Sequence, residues 1–213
     1  MPKIKVRYVC QNCGSAQAKW MGKCPDCGEW NTLIEKQVVE TPASAQRARS
    51  IMPIDGGAVP MSLPDISSDG FDRIPVEGSE LSRVLGGGIV PGSVVLTSGD
   101  PGIGKSTMLI QLAADMARTL GKVLYVSAEE SAHQIKMRAS RLNIHEPNLY
   151  VLPEIQLESI LEHCGQLQPR LIIVDSIQAI YTDTVASTAG SVSQVRDCAS
   201  QLLRLAKSQG VPV

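Results

Sequence analysis

Aromatic side chains are scarce in this chain, and neither sign of charge predominates. Only 3% of its 213 residues are Phe, Tyr or Trp, which argues against an extensive surface for stacking nucleic-acid bases. The formal net charge is −1, so the composition carries no overall nucleic-acid signature and any such binding must be local. The information on function therefore lies in short motifs.

Long apolar runs are also missing. No stretch approaches the roughly 20 apolar residues that span a bilayer, and residues 1–5 lack the apolar core of a signal peptide. These absences predict a cytoplasmic protein with no membrane partner.

The length allows one full domain and a small additional module, and a hydrophobic content of 43% is ordinary for a globular protein.

Residues 99–106 match the P-loop pattern of Gly, four residues and Gly-Lys-Ser. The preceding residues 93–98 are apolar and β-branched, which predicts a buried parallel strand. Apolar residues at helical spacing follow as far as Leu120, and Gly121 ends the predicted helix. A strand, a glycine-rich loop and a helix in this order bind phosphate at the helix N-terminus. The alternative is a plain glycine-rich turn.

The P-loop pattern predicts contacts with ATP from the backbone and from two side chains. Backbone N–H groups and the helix dipole would attract phosphate oxygens. Lys105 would reach the β- and γ-phosphates, and the Ser106 hydroxyl would bind Mg²⁺. The predicted nucleotide-binding residues are Gly99, Asp100, Pro101, Gly102, Ile103, Gly104, Lys105, Ser106 and Thr107.

Two Cys-x-x-Cys pairs near the N-terminus predict a structural Zn²⁺ site in a ribbon of residues 1–36. Their spacing suits one tetrahedral ion, and a segment this small needs such an ion to fold. Disulfides or free thiols are the alternatives, but nothing marks the chain as secreted. Trp20 and Trp30 are predicted to cover the small metal core. The four predicted ligands are Cys10, Cys13, Cys24 and Cys27.

Two further regions follow the ribbon. Residues 37–75 are rich in Pro, Ser, Ala and Gly, which predicts a flexible linker. Residues 76–213 alternate strand and helix patterns, which predicts an α/β domain with a parallel sheet. An apolar strand predicted at 171–175 ends in Asp175, the Walker B arrangement that supplies a carboxylate to Mg²⁺ beside the phosphates.

Two glutamates follow the strand predicted at 122–127. ATP hydrolysis needs a group that orients the attacking water, and Glu129 or Glu130 could reach that position from the end of the strand. Both could instead only complement the dipole of the next helix. Glu129 is the better candidate because Glu130 lies nearer the helix start, but the residues alone leave the two interpretations almost balanced.

In combination, these motifs resemble those of the bacterial RadA (Sms) family of RecA-like ATPases. The resemblance covers essentially the whole chain except the linker. It rests on the Cys₄ ribbon, the P-loop and residues 85–93, 125–131, 175–178 and 190–196. It implies a DNA-dependent ATPase of recombination and DNA repair that promotes branch migration, with Lys105, Glu129 and Asp175 as catalytic residues.

The resemblance also implies a set of ligands and partners. The ligands would be structural Zn²⁺, Mg²⁺, and ATP as substrate. The partners would be single-stranded or branched DNA, recombinase proteins and further copies of the chain in a ring. Gln178 and residues 182–196 would lie near the DNA-facing part of the core.

Two other functions compete with this interpretation. A clock-type or signalling RecA-like ATPase also carries paired glutamates after a strand, but the ribbon argues against it. A zinc-dependent DNA-binding or docking fragment without turnover is the second. It is favoured because family members continue through the strand that begins at 211–213, a Lys-Asn-Arg-Phe-Gly motif and a Lon-protease-like domain. The resemblance therefore predicts a fragment, incomplete at its C-terminal end, with little DNA-stimulated ATPase activity of its own.

Overall fold

The N-terminal part of the chain is a small antiparallel ribbon. A computed structural model describes residues 4–17, 19–39, 60–66 and 72–213. The ribbon has the strand order β2-β1-β3; its strands are β1 (Ile4–Cys10), β2 (Ala16–Gln17) and β3 (Leu33–Val39). β3 continues to Val39, past the predicted ribbon end at residue 36. Most of the predicted linker, 37–75, falls outside the described residues.

The rest of the described chain is an α/β unit built on a parallel sheet. β4 lies between β5 and β6, and both neighbours run parallel to it. No helix of the described ranges is both long enough and apolar enough to cross a bilayer. The elements are α1 (Ser79–Val84), α2 (Lys105–Leu120), β4 (Val123–Ser127), α3 (Ala132–Arg141), β5 (Leu149–Leu152), α4 (Leu157–Leu167), β6 (Leu171–Asp175) and α5 (Val192–Gln209).

Helices cover both faces of this sheet. Val123 and Tyr125 of β4 pack in one apolar cluster with α2 and α3. Leu124 and Val126 point the other way and pack with α4 and α5. All five residues of β4 are buried, which explains why the strand is an almost continuous apolar run rather than an alternating one. The predicted fold class is confirmed.

Residues 93–98 do not form the buried strand predicted before the P-loop. Leu96 is 78% exposed, and the segment has no regular secondary structure. It is joined to the sheet through residues 211–213. Val95 N donates to Val213 O and Val213 N to Ser93 O, each at 2.9 Å, while Ile172 N donates to Pro212 O at 3.0 Å. Residues 211–213 thus lie between β6 and this segment. Three residues can pair only with its beginning, so its end has no partner strand among the residues described.

A buried glutamine holds the loop that follows β6. The side chain of Gln194, in the first turn of α5, is 1% exposed. Its amide oxygen accepts a hydrogen bond from Thr182 N at 2.9 Å. Its amide nitrogen lies 3.0 Å from the carbonyl oxygens of Thr182, Val185 and Ser187. The Gln194 side chain therefore gives the loop backbone the hydrogen-bond partners that a neighbouring strand would otherwise supply.

Gln194→Ala should destabilise the α/β unit. The substitution leaves the buried Thr182 N–H group without its partner, and an unpaired buried polar group costs about 1–3 kcal/mol. Urea unfolding followed by circular dichroism measures the change. Gln166→Ala is the matched control, because Gln166 is an exposed helical residue whose side chain bonds Glu162 of the same helix. Equal stability of the two variants would contradict the structural role of Gln194.

Candidate nucleotide and metal sites

The P-loop leads directly into the N-terminus of α2. Gly104 has φ 101°, in the left-handed region, where a Cβ atom would introduce strain. Lys105 opens the helix, and its ammonium donates hydrogen bonds to the carbonyl oxygens of Gly99 at 2.8 Å and Asp100 at 2.9 Å. The charged group thus folds over the loop beside the helix N-terminus, where backbone N–H groups and the helix dipole attract anions.

Asp175 ends β6, on the face of the sheet that packs against α2. Its side chain is partly buried, and Oδ2 accepts a hydrogen bond of 2.6 Å from the hydroxyl of Tyr125. Burial, together with the Asp175 carboxylate, raises the pKa of Tyr125 far above its usual value. The phenol therefore stays protonated and acts as a donor. The predicted Walker B carboxylate is held in place from the neighbouring strand.

The two glutamates after β4 have different surroundings. Glu129 is exposed and accepts a hydrogen bond from the hydroxyl of Ser176, the residue after Asp175. Glu130 turns the other way and forms an ion pair with Arg138 of α3. Ser127 supports this divergence, because its hydroxyl donates to Glu130 O at 2.7 Å. One carboxylate thus lies beside the end of β6, and the other is bound to a helix.

The four predicted metal ligands converge in the ribbon. Their Sγ atoms all lie within 4.8 Å of one another. The Cys10–Cys27 and Cys13–Cys24 sulfur pairs are 3.6 Å apart, and all four residues are free cysteines. The disulfide alternative is therefore wrong for this structure. Four converging sulfur atoms form the donor set that zinc or iron takes in tetrahedral geometry.

The ionisation of these thiols fits a cation between them. Burial disfavours the Cys10 thiolate, but hydrogen bonds with the Thr32 hydroxyl and with backbone N–H groups outweigh it and lower the pKa of Cys10 to about 6. Burial and the neighbouring thiols raise the pKa of Cys13 to about 12. One thiolate thus forms readily, and its negative charge disfavours the ionisation of the next thiol. All four can be ionised together at neutral pH when a metal ion neutralises their charge.

The prediction that Trp20 and Trp30 cover the metal core is wrong. Their side chains are 57% and 67% exposed. The ribbon is so small that its apolar cluster consists of Leu33, the partly buried Tyr8 and the cysteines themselves. The Trp30 ring instead lies over Gly22, with the Lys23 ammonium 5.7 Å from its centroid.

A known protein family matches the α/β unit. The AAA domain family matches residues 62–213, a range that contains the P-loop, Glu129 and Asp175. The chain belongs to the AAA domain family. A second family, described as a rubredoxin metal binding domain, matches residues 8–35 and so contains all four cysteines of the ribbon.

Curated bacterial proteins are similar to this AAA family member along its whole length. It is 44% identical over 213 residues to DNA repair protein RadA of Bacillus subtilis, covering 100% of this chain and 46% of that protein. Identity to the RadA proteins of Listeria monocytogenes and Pseudomonas aeruginosa is 47% and 43%, covering 99% and 100% of this chain and 45% and 46% of theirs. The resemblance to bacterial RadA is confirmed. The chain spans about half the length of these relatives.

A solved structure shares the fold. The KaiC-like protein of the archaeon Pyrococcus horikoshii OT3 superimposes with a TM-score of 0.55 and 18% sequence identity. The match covers 67% of this chain and 68% of that one. At this level of identity the similarity concerns the fold of the AAA family member alone. It agrees with the predicted RecA-like architecture.

Two residues of the site, Tyr125 and Ser176, and the loop-holding residue Gln194 were not singled out individually from the sequence. Tyr125 looked like an ordinary core aromatic within an apolar strand. Ser176 follows Asp175 directly in sequence, so its hydroxyl could have been recognised as a possible partner that orients Glu129. The role of Gln194 could not be recognised from the sequence, because its four contacts with the loop form only in the folded structure. The amphipathic pattern of α5 was the one available signal, since it places this polar residue on the buried side of the helix.

Proposed function

We propose that the protein is a DNA-dependent ATPase of recombination and DNA repair. The observation that supports this proposal best lies at the carboxyl ends of β4 and β6. Glu129 accepts a hydrogen bond from Ser176, the residue after Asp175, and Asp175 lies on the face of the sheet that packs against the P-loop helix. The carboxyl ends of parallel strands are the usual place for a ligand in such a sheet. The 41–47% identity to curated RadA proteins supplies the connection to DNA repair.

The residues of the site would divide the work of hydrolysis. Residues 99–107 would hold the nucleotide, with Lys105 exchanging its loop carbonyls for phosphate oxygens. Ser106 and Asp175 would hold Mg²⁺, which neutralises phosphate charge when it is bound. Glu129 would orient the attacking water and accept its proton, since its carboxylate is exposed and fixed at one oxygen by Ser176.

The remaining parts of the proposal rest on the relatives. Single-stranded or branched DNA would be the activating ligand, and branch migration of recombination intermediates would be the outcome. Recombinase proteins and further copies of the chain, arranged in a ring, would be the partners. The site of action would be the cytoplasm.

DNA-stimulated turnover is the direct test of this function. Release of phosphate from ATP should be measured in the protein that carries this chain, with and without single-stranded DNA. Stimulation by DNA is expected. Turnover that is indifferent to DNA would favour a clock-type or signalling ATPase, and DNA binding without any turnover would favour the docking alternative.

The ribbon should hold one Zn²⁺ per chain, bound by the four cysteines. Elemental analysis of protein purified without added metal measures the stoichiometry and separates zinc from iron. Cys24→Ser should lose the ion and unfold the ribbon, because the remaining thiolates lose the charge that balances them. Cys164→Ser is the control, since Cys164 is a buried cysteine of α4 outside the cluster. A metal-free protein with a folded ribbon would contradict the proposal.

A further inference from the structure

The one polar atom of the buried Tyr125 side chain contacts the carboxylate of Asp175. We infer that Tyr125 is a positioning residue that fixes this carboxylate in the orientation required to bind Mg²⁺. The inference rests on the proposed function, in which Asp175 holds the ion. It adds a residue from another strand, 50 positions away in sequence.

Packing alone does not explain a tyrosine at this position. Its ring lies in the apolar cluster between the sheet and α2, beside residues such as Ile110 and Ile135. A phenylalanine ring would fill the same space. A buried hydroxyl without a partner is unfavourable, so the tyrosine is compatible with this cluster because its O–H group reaches Asp175.

In the register of the sheet, Tyr125 and Asp175 occupy diagonal positions on the neighbouring strands β4 and β6. Tyr125 lies opposite Ile173, and Ser127 lies opposite Asp175. Strands lie about 4.8 Å apart and rise about 3.3 Å per residue, so the Cα atoms at such diagonal positions are about 8 Å apart, a gap that an aromatic side chain can bridge. The length of the phenol therefore carries its oxygen from the centre of β4 to the end of β6.

The nearer residue does not provide the support. The hydroxyl of Ser127, directly opposite Asp175, is hydrogen-bonded to the backbone of Glu130. Within the described ranges, Tyr125 is the side chain that is hydrogen-bonded to the Asp175 carboxylate. The two β4 residues on this face thus act separately: Tyr125 holds the carboxylate, and Ser127 holds the turn that carries Glu129.

A fixed carboxylate favours Mg²⁺ in particular. This ion requires nearly ideal octahedral geometry, so a ligand that rotates freely binds it less well. The Tyr125 hydroxyl occupies Oδ2 and leaves Oδ1 available. Partners that orient a metal ligand in this way typically change metal affinity or activity by about 10- to 100-fold.

Tyr125→Phe should weaken the response to Mg²⁺ and leave the binding of metal-free ATP unchanged. The affinity for a fluorescent ATP analogue should be measured in EDTA and then across a Mg²⁺ titration. The Mg²⁺ concentration that gives half of the effect should rise about 10-fold. Tyr150→Phe, which removes an exposed hydroxyl from the adjacent strand β5, is the matched control and should behave as wild type.

Several outcomes would overturn the inference. One is a Tyr125→Phe protein with the Mg²⁺ response of wild type, whether or not its thermal unfolding midpoint falls. Another is an equal loss of affinity in EDTA and in Mg²⁺, which would mark a packing role. Asp175→Asn separates the two proposals: if this variant and wild type respond equally to Mg²⁺, the metal site of the proposed function is wrong, and the inference about Tyr125 is wrong with it.

Discussion

Lys105→Ala is expected to weaken ATP binding and hydrolysis together, by about 100-fold or more in nucleotide affinity. The ammonium has two hydrogen-bonding contacts within the loop, and phosphate oxygens would replace these acceptors. Hydrogen bonds to charged groups contribute about 1.5–3 kcal/mol each. The loss of two corresponds to a decrease in nucleotide affinity of about 100-fold or more. Turnover falls as well, because phosphate charge is present in both the ground state and the transition state.

Equilibrium binding of a fluorescent ATP analogue and phosphate release measure these two losses. Lys136→Ala is the control, because Lys136 is an exposed lysine of α3 whose removal changes the net charge equally. Nucleotide binding of wild-type strength in Lys105→Ala would mean that residues 99–107 form a glycine-rich turn without a phosphate role.

Glu129→Gln is expected to separate binding from chemistry. The amide keeps the size of the side chain and can still bond Ser176, so ATP affinity should remain near that of wild type. The neutral amide cannot accept a proton from water, and loss of general base catalysis lowers rates by about 100-fold or more. Single-turnover hydrolysis of bound ATP measures the chemical step directly.

Glu130→Gln is the matched comparison for that experiment. This substitution weakens the ion pair with Arg138, so it should lower the thermal unfolding midpoint and leave the single-turnover rate almost unchanged. The opposite pattern, with a slow Glu130 variant and an active Glu129 variant, would transfer the catalytic role to Glu130.

Local signals in the sequence predicted several elements closely. Ser131 and Gln134 have the spacing of a capping box, and the structure has both of its hydrogen bonds at the start of α3. The strand predicted at 171–175 has those bounds, and the strand predicted at 122–127 begins one residue later, at Val123. In each case the information lies within a few neighbouring residues, such as a cap or an apolar run. Such patterns can be recognised without knowing the rest of the fold.

The remaining features depend on contacts between distant parts of the chain. Glu129 and Glu130 are adjacent and chemically alike, and only their partners at Ser176 and Arg138 distinguish them. The burial of Trp20 and Trp30 was overestimated, because a side chain can be buried only if the module is large enough to surround it. Residues 93–98 have a strand composition, but strand formation also needs a neighbour along the whole segment.

The pairing of residues 93–95 with 211–213 has a consequence for the order of folding. Val95 and Val213, which are hydrogen-bonded, are 118 positions apart in sequence, so their contact closes a long loop and carries a high entropic cost. We expect this pairing to form late, after β4, β5 and β6 have assembled. On the ribosome, the proposed nucleotide-binding loop would then remain unanchored until Val213 had left the exit tunnel. A nascent chain arrested before that point should fail to retain ATP even though its phosphate-binding motif is already complete.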